Sequence, residues 1–182
     1  FFASFSEPFM NPLASQMMKI AIEQWLLVNL YTTLFDLRLE DINTLSGLKF
    51  NNIILHLPDD LGDMKCRVDQ QYIENLIKFI NTLGYTSAHS YGKIHRAIHG
   101  LLQYNILPKS ILHTRSNNIN DVKQQERKSG NITCGVIQRH NRKNYNHNVL
   151  LPNGNVVLCC MDYGLKHILG NLLKDNYEDL FK

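Results

Sequence analysis

The feature that most constrains this chain is a spacing. Four short runs of apolar or β-prone residues, 27–31, 52–57, 85–91 and 110–113, read as buried strands. Counted from Leu27, Ile53, Tyr85 and Ile111, they recur after 26, 32 and 26 residues. Each interval has room for one helix and its turns, which is the βα repeat of a parallel sheet or barrel. With Phe1 to Phe5 as a further strand, five such strands fit into about 115 residues. An open doubly wound sheet and a partial barrel both satisfy this pattern.

The intervals carry helix signals. Asn11-Pro12 reads as a cap followed by proline at the first helical position, and Leu13, Met17, Ile20 and Gln24 then recur at helical spacing. Asp69 is the expected N-cap of a helix with Tyr72, Ile73, Leu76, Ile77, Ile80 and Leu83 on one stripe, stopped by Gly84. Shorter helices are expected over Leu39 to Leu45, ended by Gly47, and over Lys93 to Gln103. Chemistry in such a fold collects at the carboxyl ends of the strands. Those ends carry Ser6-Glu7-Pro8, Thr32-Thr33, Pro58-Asp59-Asp60, Gly92 and Arg115.

Composition narrows the class. Hydrophobic residues make up 44% and charged residues 19% of the 182, which suits a folded domain and excludes a disordered chain. A net charge of +3 is too mild to demand a nucleic-acid partner. No apolar run approaches the roughly 18 residues of a membrane helix, so no membrane association is expected. The opening Phe1-Phe2-Ala3-Ser4-Phe5 has neither Met nor the features of a signal peptide, and the chain is expected to be a fragment. Four cysteines are too sparse for a disulfide scaffold, and thiol or metal chemistry is expected of them.

At Ser116 the repeat stops. Residues 116–148 are polar, Asn-rich and basic, a length unusual for a loop inside a compact domain. Pattern returns with Val149-Leu150-Leu151, a Pro152-Asn153-Gly154 turn and Val156 to Cys160, which read as a β-hairpin, and a short helix over Asn176 to Phe181. His95 and His99 lie four apart on an expected helix, but Arg96 stands where a zinc hydrolase needs its general-base glutamate. No GxGxxG, GxxxxGK[ST] or GxSxG occurs. Cys134, Cys159 and Cys160, with His140 and His147 between them, are candidate metal ligands. Buried cysteines acting as small hydrophobes are the alternative. Strand alternation would let only one of Cys159 and Cys160 face a given centre.

At these residues a resemblance appears. Cys134, then Gly154 to Cys159 (G-x4-C), Leu169-Gly170-Asn171-Leu172 and Tyr177-Glu178-Asp179-Leu180 resemble the SPASM domain at the carboxyl end of many radical S-adenosylmethionine (radical SAM) enzymes, where "LGN" marks a turn before a short helix. Phe5-Ser6-Glu7-Pro8-Phe9 resembles that family's "GGEPL" segment, with Ser6 replacing the second glycine, and Tyr31-Thr32-Thr33-Leu34 stands where the family often has "TNG".

The resemblance implies an α/β fold with an incomplete (β/α)6 barrel over residues 1–115, a polar linker over 116–130 and a partial SPASM domain over 131–182. It implies S-adenosylmethionine held near Ser6, Glu7, Pro8, Thr32 and Thr33, with Glu7 offering an anion to the cofactor's cationic amino group. It also implies an auxiliary 4Fe-4S cluster on Cys134 and Cys159, with Cys160 beside them, in a cytoplasmic compartment that keeps thiols reduced. The family's catalytic CxxxCxxC is absent from the 182 residues, so this chain by itself is expected to be inactive. The substrate, a peptide or a small molecule modified by a 5′-deoxyadenosyl radical, is not specified by the sequence. Two other readings are a nucleic-acid-binding module, in which a zinc knuckle adjoins the basic loop of His140, Tyr145 and His147, and an inactive interaction protein of the same fold.

Overall fold

The computed structural model describes residues 2, 6–62, 64, 66–90, 93–102, 148–160, 162 and 164–181. The chain divides into two compact units, Phe1–Ile111 and Leu112–Lys182.

The first unit is α/β. Its described elements are a 3-10 turn at Pro8–Met10, α1 (Ala14–Glu23), β1 (Asn29–Thr32), α2 (Leu39–Leu45), β2 (Asn52–His56), α3 (Gln70–Leu83), β3 (Ser87–His89) and α4 (Arg96–His99). The three strands pair in the order β1-β2-β3, and both pairings are parallel, with Leu30 opposite Ile53 and Leu55 opposite Ala88. Phe2 extends the sheet by a parallel bridge to Leu30: its N–H donates to Asn29 O at 2.9 Å, and Tyr31 N–H donates to its carbonyl at 3.0 Å. The fourth expected strand, near Ile111, lies outside the described residues.

One face of this sheet is apolar. Leu30, Ile53, Leu55 and Ala88 share a buried cluster with Met18 of α1, Ile42 and Leu45 of α2, and Leu76 and Phe79 of α3. Burying a side chain of this size gains about 1.5–3 kcal/mol, so this face supplies much of the unit's cohesion. Alternation turns Tyr31, Ile54 and His56 to the other side.

Helix boundaries follow local chemistry. Asp69 caps α3 as expected, accepting from Tyr72 N–H at 3.0 Å, and Gly84 ends it at φ +70°. The stripe of α3 is centred on Tyr72, Leu76 and Phe79, while Ile77 is exposed because it lies roughly 120° around the helix from Leu83. Phe79, missing from the expected stripe, takes the edge of Phe9, with ring centroids 6.4 Å apart. Asn11-Pro12 starts no helix. The Asn11 side chain accepts from Leu13 N–H at 2.9 Å, so the pair forms a turn and α1 begins at Ala14. Helix α4 is four residues long where a longer one was expected, and His95 caps it through Nδ1.

A buried charge fastens α2 to α1. The Asp41 carboxylate accepts from Ser15 Oγ at 2.7 Å and from Arg38 Nε and an Arg38 terminal nitrogen at 2.9 and 2.8 Å. Burial alone would push this carboxyl up, but hydrogen bonds from Arg38 and Ser15 outweigh it and hold it below the usual 3.8.

In the second unit β4 (Val149–Leu150), β5 (Asn155–Val157) and β6 (Ile168–Asn171) form an antiparallel sheet in that order, followed by a 3-10 turn at Tyr177–Phe181. The hairpin through Pro152-Asn153-Gly154 is as expected. Leu169-Gly170-Asn171, expected as a turn, belongs instead to β6, because these residues complete the ladder to Asn155 and Val156.

A depressed carboxyl stabilises the fold above its unfolded pKa, and that stability is lost as pH falls through the folded value. Asp41→Asn should therefore cost roughly 2–3 kcal/mol at neutral pH, the scale of a charged hydrogen-bond set broken in the interior. Urea denaturation between pH 2 and 7 checks this, and the variant should lose part of the acid-side decline seen below about pH 4.

Candidate functional site

Parallel pairing brings the carboxyl ends of the strands to one edge. Glu7 stands there after the Phe2 bridge, Thr32 ends β1 with Thr33 next in the chain, His56 ends β2, and His89 ends β3 with Ser90 next. A cleft of about 350 Å³ between Phe50, Leu83 and Tyr85 opens at the opposite, amino edge and contains none of these residues.

Glu7 is held by the residues around it. Its φ of −68° and ψ of 127° make it the N-cap of the Pro8–Met10 turn, with Pro8 at the first position, where a missing N–H costs nothing. Oε1 accepts from Thr32 Oγ1 at 2.6 Å and from Phe9 N–H at 3.3 Å. Oε2 accepts from Thr33 N–H at 2.6 Å and Thr33 Oγ1 at 2.7 Å. A carboxylate offers about four acceptor positions, so this set uses its capacity. Thr32 Oγ1 in turn accepts from Leu34 N–H at 2.8 Å, and Tyr72 donates its hydroxyl to Thr33 O at 2.9 Å.

Despite four donors, burial dominates at Glu7 and pushes its carboxyl above the usual 4.5. A raised folded pKa contributes stability fully present only below the unfolded value and lost as pH rises through the folded one. The ionised Glu7 is therefore costly to the fold near neutral pH, the opposite of Asp41. Burial, then the charges of Glu7 and Asp69, pushes the Cys66 thiol up to about 11 and leaves it protonated near neutral pH. Burial, followed by Cys66 and Glu7, pushes the Tyr72 phenol well above its ordinary range.

Sequence reasoning placed Ser6, Glu7, Pro8, Thr32 and Thr33 at one site. The structure brings Glu7, Thr32 and Thr33 together, while Ser6 is exposed and Pro8 serves the turn. The sequence reading missed Cys66 and Tyr72. It also missed His56 and His89, register partners on β2 and β3 whose rings stack with centroids 4.6 Å apart. Burial holds the His89 imidazole below the usual 6.5, so it is neutral near pH 7. They are the last residues of β2 and β3, a position that the strand run 85–91 did not single out for His89.

In the second unit Cys134, His140, Tyr145 and His147 lie outside the described residues. Cys159 and Cys160 are half-buried but sit beyond β5, which ends at Val157, so strand alternation does not choose between them. Their loop is closed by Leu158 N–H donating to His167 O at 2.9 Å, and Asp162 accepts from His167 N–H at 2.7 Å. Among the described residues, no three His, Cys, Asp or Glu side chains are grouped to hold a metal ion. Among them also, no helix is long and apolar enough to cross a membrane.

Thr33→Val removes one donor from Glu7 without changing side-chain size. It should raise the Glu7 midpoint further above 4.5 and cost about 1–2 kcal/mol. Carbon-detected NMR titration and urea denaturation check the two effects. In comparisons with known proteins, no family model, curated protein or solved structure matches this chain.

Proposed function

We propose that this chain is the cofactor-binding and auxiliary-domain part of a radical SAM enzyme, with the first unit as an incomplete (β/α)6 barrel. One observation carries the reading. The two segments that resemble the family, Ser6-Glu7-Pro8 and Thr32-Thr33, meet through Glu7 at the carboxyl edge of a parallel sheet, where a carboxylate is kept against the cost of burial. Buried ionisable groups with shifted pKa values gather at functional sites.

The site suits a cationic amine. Two of the four donors to Glu7 are hydroxyls, Thr32 Oγ1 and Thr33 Oγ1, which an ammonium could replace while Thr33 N–H and Phe9 N–H keep the carboxylate in place. Glu7, with Thr32 and Thr33 around it, would hold the ammonium of S-adenosylmethionine by a charge-assisted hydrogen bond. Bound there, the cofactor supplies the radical, and the chain's own part is to orient its amino-acid end. The protonated Cys66 thiol leaves Glu7 as the local anion.

The iron–sulfur groups fit less well. The sequence holds no CxxxCxxC for a catalytic cluster. In the described part of the second unit two thiols stand where a cluster takes about four, so no step is derived through either cluster. The auxiliary-cluster part of the proposal rests on Cys134 and the G-x4-C spacing to Cys159.

Equilibrium dialysis with S-adenosylmethionine tests the cofactor site. Glu7→Ala should weaken binding by roughly 10–150-fold, the loss of one charge-assisted contact. Wild-type affinity should rise with pH as Glu7 ionises, through a midpoint above 4.5. Undetectable binding to the wild-type chain at millimolar cofactor would sink the reading. With dithionite as reductant, the chain alone should release no methionine.

Anaerobic iron and sulfide reconstitution tests the second unit. Bound iron should stay well below about four per chain and fall in Cys159→Ala more than in Cys160→Ala. The reverse order would remove Cys159 as the ligand.

A further inference from the structure

We propose that Tyr72 and Asn75 of α3 are positioning residues for the Glu7 site, holding the turn after β1 in the conformation that aims its donors at the carboxylate. Between β1 and α2 the chain passes through two left-handed residues, Leu34 at φ +62° and Asp36 at φ +57°. This region is uncommon outside glycine, and for a side chain as bulky as leucine it is strained. Such strain persists only where the surroundings hold it, and it collects at functional sites. The holders lie one turn apart on α3. Tyr72 donates its hydroxyl to Thr33 O at 2.9 Å, and Asn75 donates Nδ2 to Leu37 O at 2.8 Å. One carbonyl on each side of the two strained residues is thereby tied to the same helix. Gln71 Nε2 donates to Asn75 Oδ1 at 3.0 Å and orients the amide.

The turn passes this constraint on to Glu7. Leu34 N–H donates to Thr32 Oγ1 at 2.8 Å, and Phe35 N–H donates to Thr33 Oγ1 at 3.2 Å. A hydroxyl has one proton, and with a backbone N–H on a lone pair each threonine directs that proton to the carboxylate, over 2.6 and 2.7 Å. Relaxation of the turn therefore reaches Glu7 through both of its hydroxyl donors. The role at a cofactor site rests on the reading of Glu7 given above, whereas the effect on Glu7 itself is measured with no cofactor present.

Carbon-detected NMR titration of Glu7 in the whole chain, with urea denaturation beside it, tests the proposal. In Tyr72→Phe and in Asn75→Ala the Glu7 midpoint should rise by at least about 0.5 pH units, because hydrogen bonds to the ionised form are what lower it. Among the described residues, Cys66 and Tyr72 are the titratable groups whose own proton affinity responds to Glu7, and both stay protonated over that range. Ile80→Val, on the same helix but packed against the core, should lower the urea midpoint and leave the Glu7 midpoint where it is. Asp36→Gly relieves the strain at an exposed residue, and added to Asn75→Ala it should return the Glu7 midpoint at least halfway. A Glu7 midpoint that stays put or falls in either variant overturns the proposal for that residue, and an equal rise in Ile80→Val overturns it for both. Should Tyr72→Phe disturb folding, Asn75→Ala and its rescue decide the matter. Equilibrium dialysis at pH 7 then adds S-adenosylmethionine, whose binding both variants should weaken roughly 3–10-fold, as misplaced ligand contacts do. Shifted midpoints in a chain that binds no cofactor would support the positioning role and remove the cofactor reading alone.

Discussion

Parallel pairing of β1 with β2 and of β2 with β3 is the constraint on which the first unit depends. Two parallel strands cannot be joined by a tight turn, so each crossover must return the chain to the same edge before the next strand begins. From the first residue of one strand to the first of the next the structure counts 23 and 35 residues, where the sequence pattern suggested 26 and 32, because β1 begins at Asn29 and not Leu27, β2 at Asn52 and not Ile53, and β3 at Ser87 and not Tyr85; α2 and α3 occupy these returns. Two consequences follow. The helices bury one face of the sheet, and all carboxyl ends come to one edge. Glu7, Thr32, His56 and His89 are far apart in sequence, and the pairing alone gathers them.

Two carboxylates show how differently the fold treats buried charge. Asp41 receives a guanidinium and a hydroxyl, and the balance favours ionisation, so its charge stabilises the packing of α2 on α1. Glu7 receives hydroxyls and backbone N–H groups but, among the described residues, no cation, and burial outweighs these donors and raises its carboxyl above the usual value. Both carboxylates are held by several hydrogen bonds, yet of the two only Asp41 has a guanidinium beside it. A cation supplied from outside would give Glu7 what Arg38 gives Asp41. That contrast within one unit makes the carboxyl edge, and not the α1–α2 junction, the place to look for a ligand.

Much of this arrangement could be read from the residues, and the failures share a cause. Asp69 and Gly84 bounded α3, and 39–45 was read to the residue, because caps and breakers act locally on the backbone. Glu7 with Thr32 and Thr33 was reached through strand ends and family likeness, both preserved by parallel topology. What failed was phase. In α1 the two stripes compete: Leu13, Met17 and Ile20 lie outside, while Ala14, Ser15 and Met18 lie inside, where Met18 fills the core and Ser15 donates to Asp41 of α2. In α3 the same error included Ile77 and omitted Phe79. Periodicity gives the presence of a helix but not the neighbour that selects its face.

The second unit shows what a motif does and does not imply. Gly154 stands at φ +85°, and a Cβ there would lie 2.6 Å from Leu173 Cγ and 2.8 Å from Asn171 Oδ1. A Cβ on Gly170 would collide with the Leu180 side chain and lie 2.9 Å from an Asp175 oxygen. Asn171 joins these parts: its side-chain amide donates to Asn153 O and Asn155 Oδ1, and its backbone N–H donates to Asp175. Each of the glycines and the asparagine behind the SPASM likeness therefore has a structural reason to be there without any cluster. They fix how the hairpin, β6 and the closing 3-10 turn pack, and a domain of that shape requires them whether or not it carries iron. The chemistry must then be decided at the cysteines, which the strand ladder does not orient: Cys159 and Cys160 lie beyond the end of β5, on a loop fastened by Leu158 N–H donating to His167 O and by Asp162 N–H donating to Cys159 O.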